Sequence, residues 1–177
     1  IVIDSMTTAA AFCRDGSAAG MVTNPTQKAT LYEAGFSYPG HTELLANLAS
    51  VAHGGPIMML ANSELRVVPL TIHIPIKDVP NSISKQSIVA ATRLLDASLK
   101  RFFGLSKPRI AITGLNPHAG ESGSIGREDC DIIQPAITDL QQSGLKVTGP
   151  YPADTLFHEE ARKSYDAVLG MYHDQVL

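Results

Sequence analysis

Three of the six histidines close apolar runs: His73 ends "VVPLTIH", His118 follows "RIAITGLNPH" after a short turn, and His173 ends "AVLGMYH". In an open α/β sheet the carboxyl ends of the strands are where ligands bind. Neutral imidazoles gathered there suit a divalent ion that keeps positions open for a substrate. Each could equally be a hydrogen-bonded structural histidine, since the two ring nitrogens can both find partners. Spacing along the chain does not choose, because such ligands converge only in the fold. Asp174, beside His173, and Asp154, in "PADTLF", could orient an imidazole or add a ligand. Asp154 also reads as a cap or turn residue ahead of Thr155.

A second junction is "YPGHTELLANLAS", where Pro39 and Gly40 make a turn and His41, Thr42 and Glu43 open a helix carrying Leu44, Leu45 and Leu48. Free N–H groups and the positive dipole end would hold an anion there, with Thr42 donating; capping by Thr42 is the simpler role. The loop with Gly120, Gly123 and Gly126 matches neither GxGxxG nor the phosphate-binding GxxxxGK[ST] spacing. It could bring backbone close to a ligand or merely connect two elements. His53 and His158 read as surface or helix-end residues without chemistry.

The elements that must position these residues follow from periodicity. β-branched runs alternate with helical patterns, which predicts an α/β fold: a mixed, mostly parallel sheet with helices on both faces. Candidate strands are Ala18–Thr23, Ile57–Ala61, Leu65–His73, Arg109–Gly114, Lys146–Thr148 and Ala167–Met171. Only "NSE" separates the second and third, too short for a crossover, so they should pair antiparallel. The spacing predicts a helix over Lys85–Phe103 with Ile88, Ala91, Leu95, Leu99 and Phe102 on one face, Ser84 as N-cap and Gly104 as stop. A further helix should run from Arg127 to Ser143, with Glu128 and Asp129 favouring the dipole, Pro135 kinking it and Gly144 closing it.

At 177 residues and 44% hydrophobic, the chain can bury a core as one domain or two small lobes. Its net charge of −3, without a Lys/Arg block, argues against nucleic acid and for small-molecule partners. No apolar run approaches the roughly 18 residues of a membrane span, and the start lacks a signal-peptide pattern, so a cytoplasmic location is expected. Cys13 and Cys130 lack CxxC spacing and should be reduced and buried. The ends of the sequence read as those of an internal segment.

Taken together, "VTNPTQKATLYEAGF", "PGHTE", "GLNPHAGE", "GPYPADTLF" and "YDAVLGMYHDQ" resemble, in order and across essentially the whole chain, the signature segments of the 4-hydroxythreonine-4-phosphate dehydrogenase (PdxA) family of pyridoxal phosphate biosynthesis. The resemblance implies the central part of a longer, two-lobed, homodimeric enzyme of isocitrate/isopropylmalate-dehydrogenase-like fold, with a lobe boundary that the sequence leaves unassigned. It implies NAD(P)-linked oxidation of 4-phosphohydroxy-L-threonine at C3, followed by decarboxylation. It assigns His73, His118 and His173 to a divalent metal (Zn, Mg or Co) in a site shared between subunits, and His41 and Thr42 to substrate. Lys28, Asp154 and Asp174 become candidates for proton transfer; no cofactor-binding residue is assigned. The loop "GESGSIG" departs from the family's common GEGG, which leaves open a 4-phosphorylated sugar acid as substrate. A non-catalytic metal- or phosphate-binding module is the reading from another class.

Overall fold

The computed structural model describes residues 2–24, 35–36, 38, 41–49 and 55–176, so Lys28 and His53 lie outside the described residues. The chain divides into two compact units, Ile1–Pro56 and Ile57–Leu177.

The second unit is a sheet of β1 (Leu60–Ala61), β2 (Arg66–Thr71), β3 (Arg109–Thr113), β4 (Lys146–Tyr151) and β5 (Ala167–Tyr172) in the order β1-β2-β5-β3-β4. β1 pairs antiparallel with β2, across a turn in which the Asn62 side chain accepts from the N–H groups of Glu64 and Leu65. The β2–β5, β3–β5 and β3–β4 pairs are parallel. The hairpin is therefore present, but its first arm is two residues long rather than the five of Ile57–Ala61.

Alternation along the strands makes two cores. Val68, Ile110, Ile112, Leu169 and Met171 face the Lys85–Phe103 and Gln134–Gln142 helices, meeting Ile88, Leu95, Leu99, Ile137 and Leu140. Val67, Ala111 and Val168 point the other way, onto Leu156, Tyr165 and Val176. This second face is covered by short pieces, the Ala153–Thr155 turn and the one-turn helix Glu159–Arg162. The buried Tyr165 hydroxyl donates to the Leu156 carbonyl at 2.7 Å, and burial raises its pKa.

The Lys85–Phe103 helix has the expected bounds. Ser84 Oγ accepts from the Ser87 N–H, Ser87 Oγ accepts from the Ser84 N–H, and Gly104 ends the helix at φ 69°. Phe102 is a correction: it is 69% exposed, and the Arg101 guanidinium lies over its ring. In the next helix a π-turn over Asp129–Ile133 precedes Gln134–Gln142. Pro135 then sits directly after the π-turn, one residue into the α-helical part of a continuous helix.

In the first unit the Val2–Arg14 and His41–Leu48 helices pack through Met6 and Leu44 with Phe36. Residues 18–23 form no strand, and Val22 is almost wholly exposed: an apolar, β-branched run without a pairing partner does not make a strand. Both cysteines are free, but Cys13 is only half-buried and Cys130 is exposed, which corrects the expected burial. Among the described residues no helix is long and apolar enough to cross a membrane.

At the amino ends of β3 and β5, Asp166 accepts from the Arg109 backbone N–H at 2.7 Å and from both Nε and Nη2 of its guanidinium. Burial pushes the Asp166 carboxyl up, but the Arg109 hydrogen bonds and the charges of Arg109 and Arg66 outweigh it and leave the group below its ordinary value. A depressed carboxyl stabilises the fold above the unfolded-state pKa of about 3.9 and loses that contribution as pH falls through the folded value. Asp166→Asn should therefore lower stability at neutral pH by about 1.5–3 kcal/mol and flatten the acid limb of a melting-temperature profile below about pH 4. Equal acid sensitivity of the two proteins would contradict this.

Candidate functional site

Because β2, β5 and β3 run parallel and adjacent, their carboxyl ends share one edge of the sheet. Thr71 is in register with Tyr172, so the residues just past both strands meet: the His73 and His173 rings have centroids 5.8 Å apart. Metal–nitrogen bonds of about 2.0–2.1 Å place two imidazoles on one tetrahedral ion with centroids roughly 5–6 Å apart, so the pair has the spacing of two ligands of one ion. Both line a cleft of about 240 Å³ with Ile74, Ile76, Tyr172 and Asp174. His173 Nδ1 lies 2.7 Å from Asp174 Oδ1. A carboxylate only accepts, so Nδ1 carries the hydrogen and the Nε2 lone pair is left for a ligand.

His118 follows β3 on the same edge and is exposed, in the turn Pro117–Gly123. It begins a left-handed run: φ is 53° at His118, 50° at Ala119, 75° at Gly120, 42° at Glu121 and 58° at Ser122. For non-glycine residues this conformation costs about 1–2 kcal/mol each. The turn lies against the Ala153–Thr155 turn, which carries the exposed Asp154. His118 does not line the His73–His173 cleft, and among the described residues no three His, Cys, Asp or Glu side chains come together as a metal site.

In the first unit His41 begins its helix, and Thr42 lies in its first turn, exposed. His158 caps Glu159–Arg162 by accepting from the Ala161 N–H, the helix-end role expected of it.

Three residues that sequence reasoning missed hold this edge together. Gln175 Oε1 accepts from the Met171 N–H and the Thr113 hydroxyl, and Nε2 donates to the Gly114 carbonyl, all at 2.7 Å. Thr71 Oγ1 donates to the Met171 carbonyl, which extends the chain of bonds from β3 through β5 to β2. Asp129, read as a helix-dipole residue, is instead buried and turned across to the loop, where it accepts from the backbone N–H groups of Leu115 and Asn116 and from Asn116 Nδ2. Asn116 Nδ2 also donates to Glu128, whose carboxyl is held below its usual value by its own backbone N–H and by this amide. The loop glycines serve this packing: a Cβ on Gly114 would strike Asp129 Oδ1, and one on Gly120 would lie 3.0 Å from Oδ2. The close approach that Gly120 permits is thus to an internal carboxylate.

Fold and site define an α/β protein that presents paired imidazoles at the carboxyl edge of a mostly parallel sheet. The family model of the pyridoxal phosphate biosynthetic protein PdxA matches residues 1–177, and the chain belongs to the PdxA family. It is 50% identical over 177 residues to a 4-hydroxythreonine-4-phosphate dehydrogenase of Bradyrhizobium diazoefficiens, an alignment covering 98% of this chain and 51% of that protein. The crystal structure of a Klebsiella pneumoniae 4-hydroxythreonine-4-phosphate dehydrogenase superposes with a TM-score of 0.88 at 38% identity, covering 98% of this chain and 52% of the other. A terephthalate 1,2-cis-dihydrodiol dehydrogenase from Burkholderia xenovorans superposes with a TM-score of 0.73 at 28% identity, covering 96% and 52%. The chain spans about half the length of the curated relatives it matches. The expected isocitrate/isopropylmalate-dehydrogenase-like fold holds.

Replacing Gln175 by Leu would strand the Met171 N–H, the Gly114 carbonyl and the Thr113 hydroxyl. Each such loss costs about 1–3 kcal/mol, so urea unfolding should show a loss of about 3 kcal/mol, and a loss below about 1 would contradict the holding role of Gln175.

Proposed function

We propose that the chain is the histidine-bearing part of an NAD(P)-linked dehydrogenase that oxidises 4-phosphohydroxy-L-threonine at C3, the β-keto acid then losing CO₂, as a step of pyridoxal phosphate biosynthesis. The names of its relatives support the reaction. The observation that carries the site is the His73–His173 pair, with Asp174 on Nδ1 of His173, at the carboxyl edge of the sheet.

The donor set fits a divalent ion that takes imidazole nitrogen, such as Zn²⁺ or Co²⁺, better than Mg²⁺, which prefers oxygen: two imidazoles at ligand spacing, one with its tautomer set, beside an open cleft. His118 would supply the third nitrogen from a second copy of the chain, which makes the enzyme a homodimer with a shared site. A divalent ion held by these histidines would supply the positive charge that lowers the pKa of the substrate hydroxyl and stabilises the negative charge developing during oxidation and decarboxylation.

The chain's own residues hold and orient. Asp174 keeps His173 Nε2 directed at the ligand, and that engagement favours a holding role over proton transfer. Lys28 and Asp154 are the remaining candidates to move the hydroxyl proton. His41 and Thr42, at a helix start, would bind the anionic substrate.

The dihydrodiol dehydrogenase among the structural neighbours bears, by its name, on a different class of substrate. That observation keeps open a related hydroxy acid, such as a 4-phosphorylated sugar acid.

NAD(P)H formation by the full-length protein with each candidate substrate, with and without chelator, tests the reading. Turnover of the phosphorylated hydroxythreonine, lost on chelation and restored by Zn²⁺, Mg²⁺ or Co²⁺, is expected. Activity that survives exhaustive metal removal would contradict the metal role, and metal binding without turnover of any substrate would favour a binding module. His41→Ala and Thr42→Ala should each weaken substrate binding by about 1.5–3 kcal/mol without changing metal content. Unchanged affinity in both would return these residues to helix capping.

A further inference from the structure

We propose that Asp129 is a positioning residue for His118: its carboxylate clamps the two residues at which the chain leaves β3 and so holds the strained turn that presents the imidazole. The inference rests on the proposed metal role of His118.

Asp129 is 1% exposed, and its hydrogen-bond partners are the N–H groups of Leu115 (2.8 Å) and Asn116 (3.3 Å) and the Asn116 amide (2.9 Å), all neutral. Burying a carboxylate on neutral donors alone is a costly way to gain stability. What a carboxylate offers here is two oxygens that both accept, one for each of two consecutive backbone N–H groups, where an asparagine would turn an NH₂ toward donors. Space has been made for it, since side chains at Gly114 and Gly120 would collide with or crowd its oxygens. The clamped residues lie directly before Pro117 and the left-handed run from His118 to Ser122. Strained backbone persists only where its surroundings over-determine it. Gly120, in the middle of that run, lies against the same carboxylate, so Asp129 touches the turn at its entry and at its centre.

The test uses the full-length protein with Asp129→Asn, His118→Ala and the double variant. In metal-free protein, hydrogen exchange at residues 115–122 should accelerate in Asp129→Asn while the Lys85–Phe103 helix keeps its protection. Asp129→Asn should weaken Co²⁺ binding by about 10–100-fold, as loss of a ligand-orienting partner does, and should have no further effect once His118 is Ala. If Asp129→Asn does not fold, Asn116→Ala removes one donor of the same clamp and should give the same pattern more weakly. A variant that lowers the melting temperature but leaves Co²⁺ affinity unchanged, or lowers it equally with and without His118, overturns the proposal. Failure of the wild-type protein to bind Co²⁺ would instead remove the metal reading. The exchange comparison then still decides the clamp, unchanged exchange at residues 115–122 overturning it and accelerated exchange supporting it.

Discussion

The carboxamide of Gln175 fixes the edge on which the histidine-bearing segments end. Parallel strands are bonded along their length, but the ladder stops at their carboxyl ends, and whatever follows is free to splay. Gln175 continues the ladder past that point with two acceptor contacts and one donor contact, joining Met171 of β5 to Thr113 and Gly114 at the end of β3. The Thr71 hydroxyl adds β2 through the Met171 carbonyl. His73, His173 and the loop to His118 therefore leave the sheet from ends whose mutual distances are set by hydrogen bonds. A partly buried polar network of this kind contributes geometry only when all its members are satisfied, and here both functional atoms of the amide are used.

Beyond the Gln175 network, the two histidine segments are controlled differently. His73 and His173 follow strands in direct register and need only one further contact, the Asp174 carboxylate, to set a tautomer. His118 sits on a left-handed turn that ordinary residues resist, and the glycines around it admit Asp129 and Asn116. One part of the edge is thus held by the sheet, and the other by a loop tied to a buried carboxylate. At the opposite edge the Arg109–Asp166 pair closes the amino ends of β3 and β5, so the sheet is pinned at both ends by charged or amide side chains with the apolar core between.

Sequence legibility followed the physics of each element. The bounds of the Lys85–Phe103 helix were readable to the residue because cap and stop coincide with the ends of the stripe, although Phe102 itself turned out exposed. Ala18–Thr23 looked like a strand because β-branched composition does not reveal whether a partner strand exists. The gathering of His73 and His173 was readable in kind, since both close apolar runs, but their contact depends on β5 lying between β2 and β3, which no local pattern encodes. Gln175 and Asp129 were invisible for a related reason: a single polar residue in a turn, or in the first turn of a helix, looks the same whether it faces water or a neighbouring strand. The one signal was glycine: the loop of Gly120, Gly123 and Gly126 reads as able to bring backbone close to a partner, and the fold discloses that at Gly120 this partner is Asp129.

In the function proposed above, His73 and His173 would form one half of a divalent-metal site that His118 of a second copy completes. The most direct test is a crystal structure of the full-length protein grown with Co²⁺, with anomalous scattering recorded at the cobalt edge. A single strong anomalous peak between the His73 and His173 rings, bonded to Nε2 of His173, with His118 of a second copy at ligand distance, is expected. A peak elsewhere, or a dimer that keeps His118 away from the pair, would contradict it.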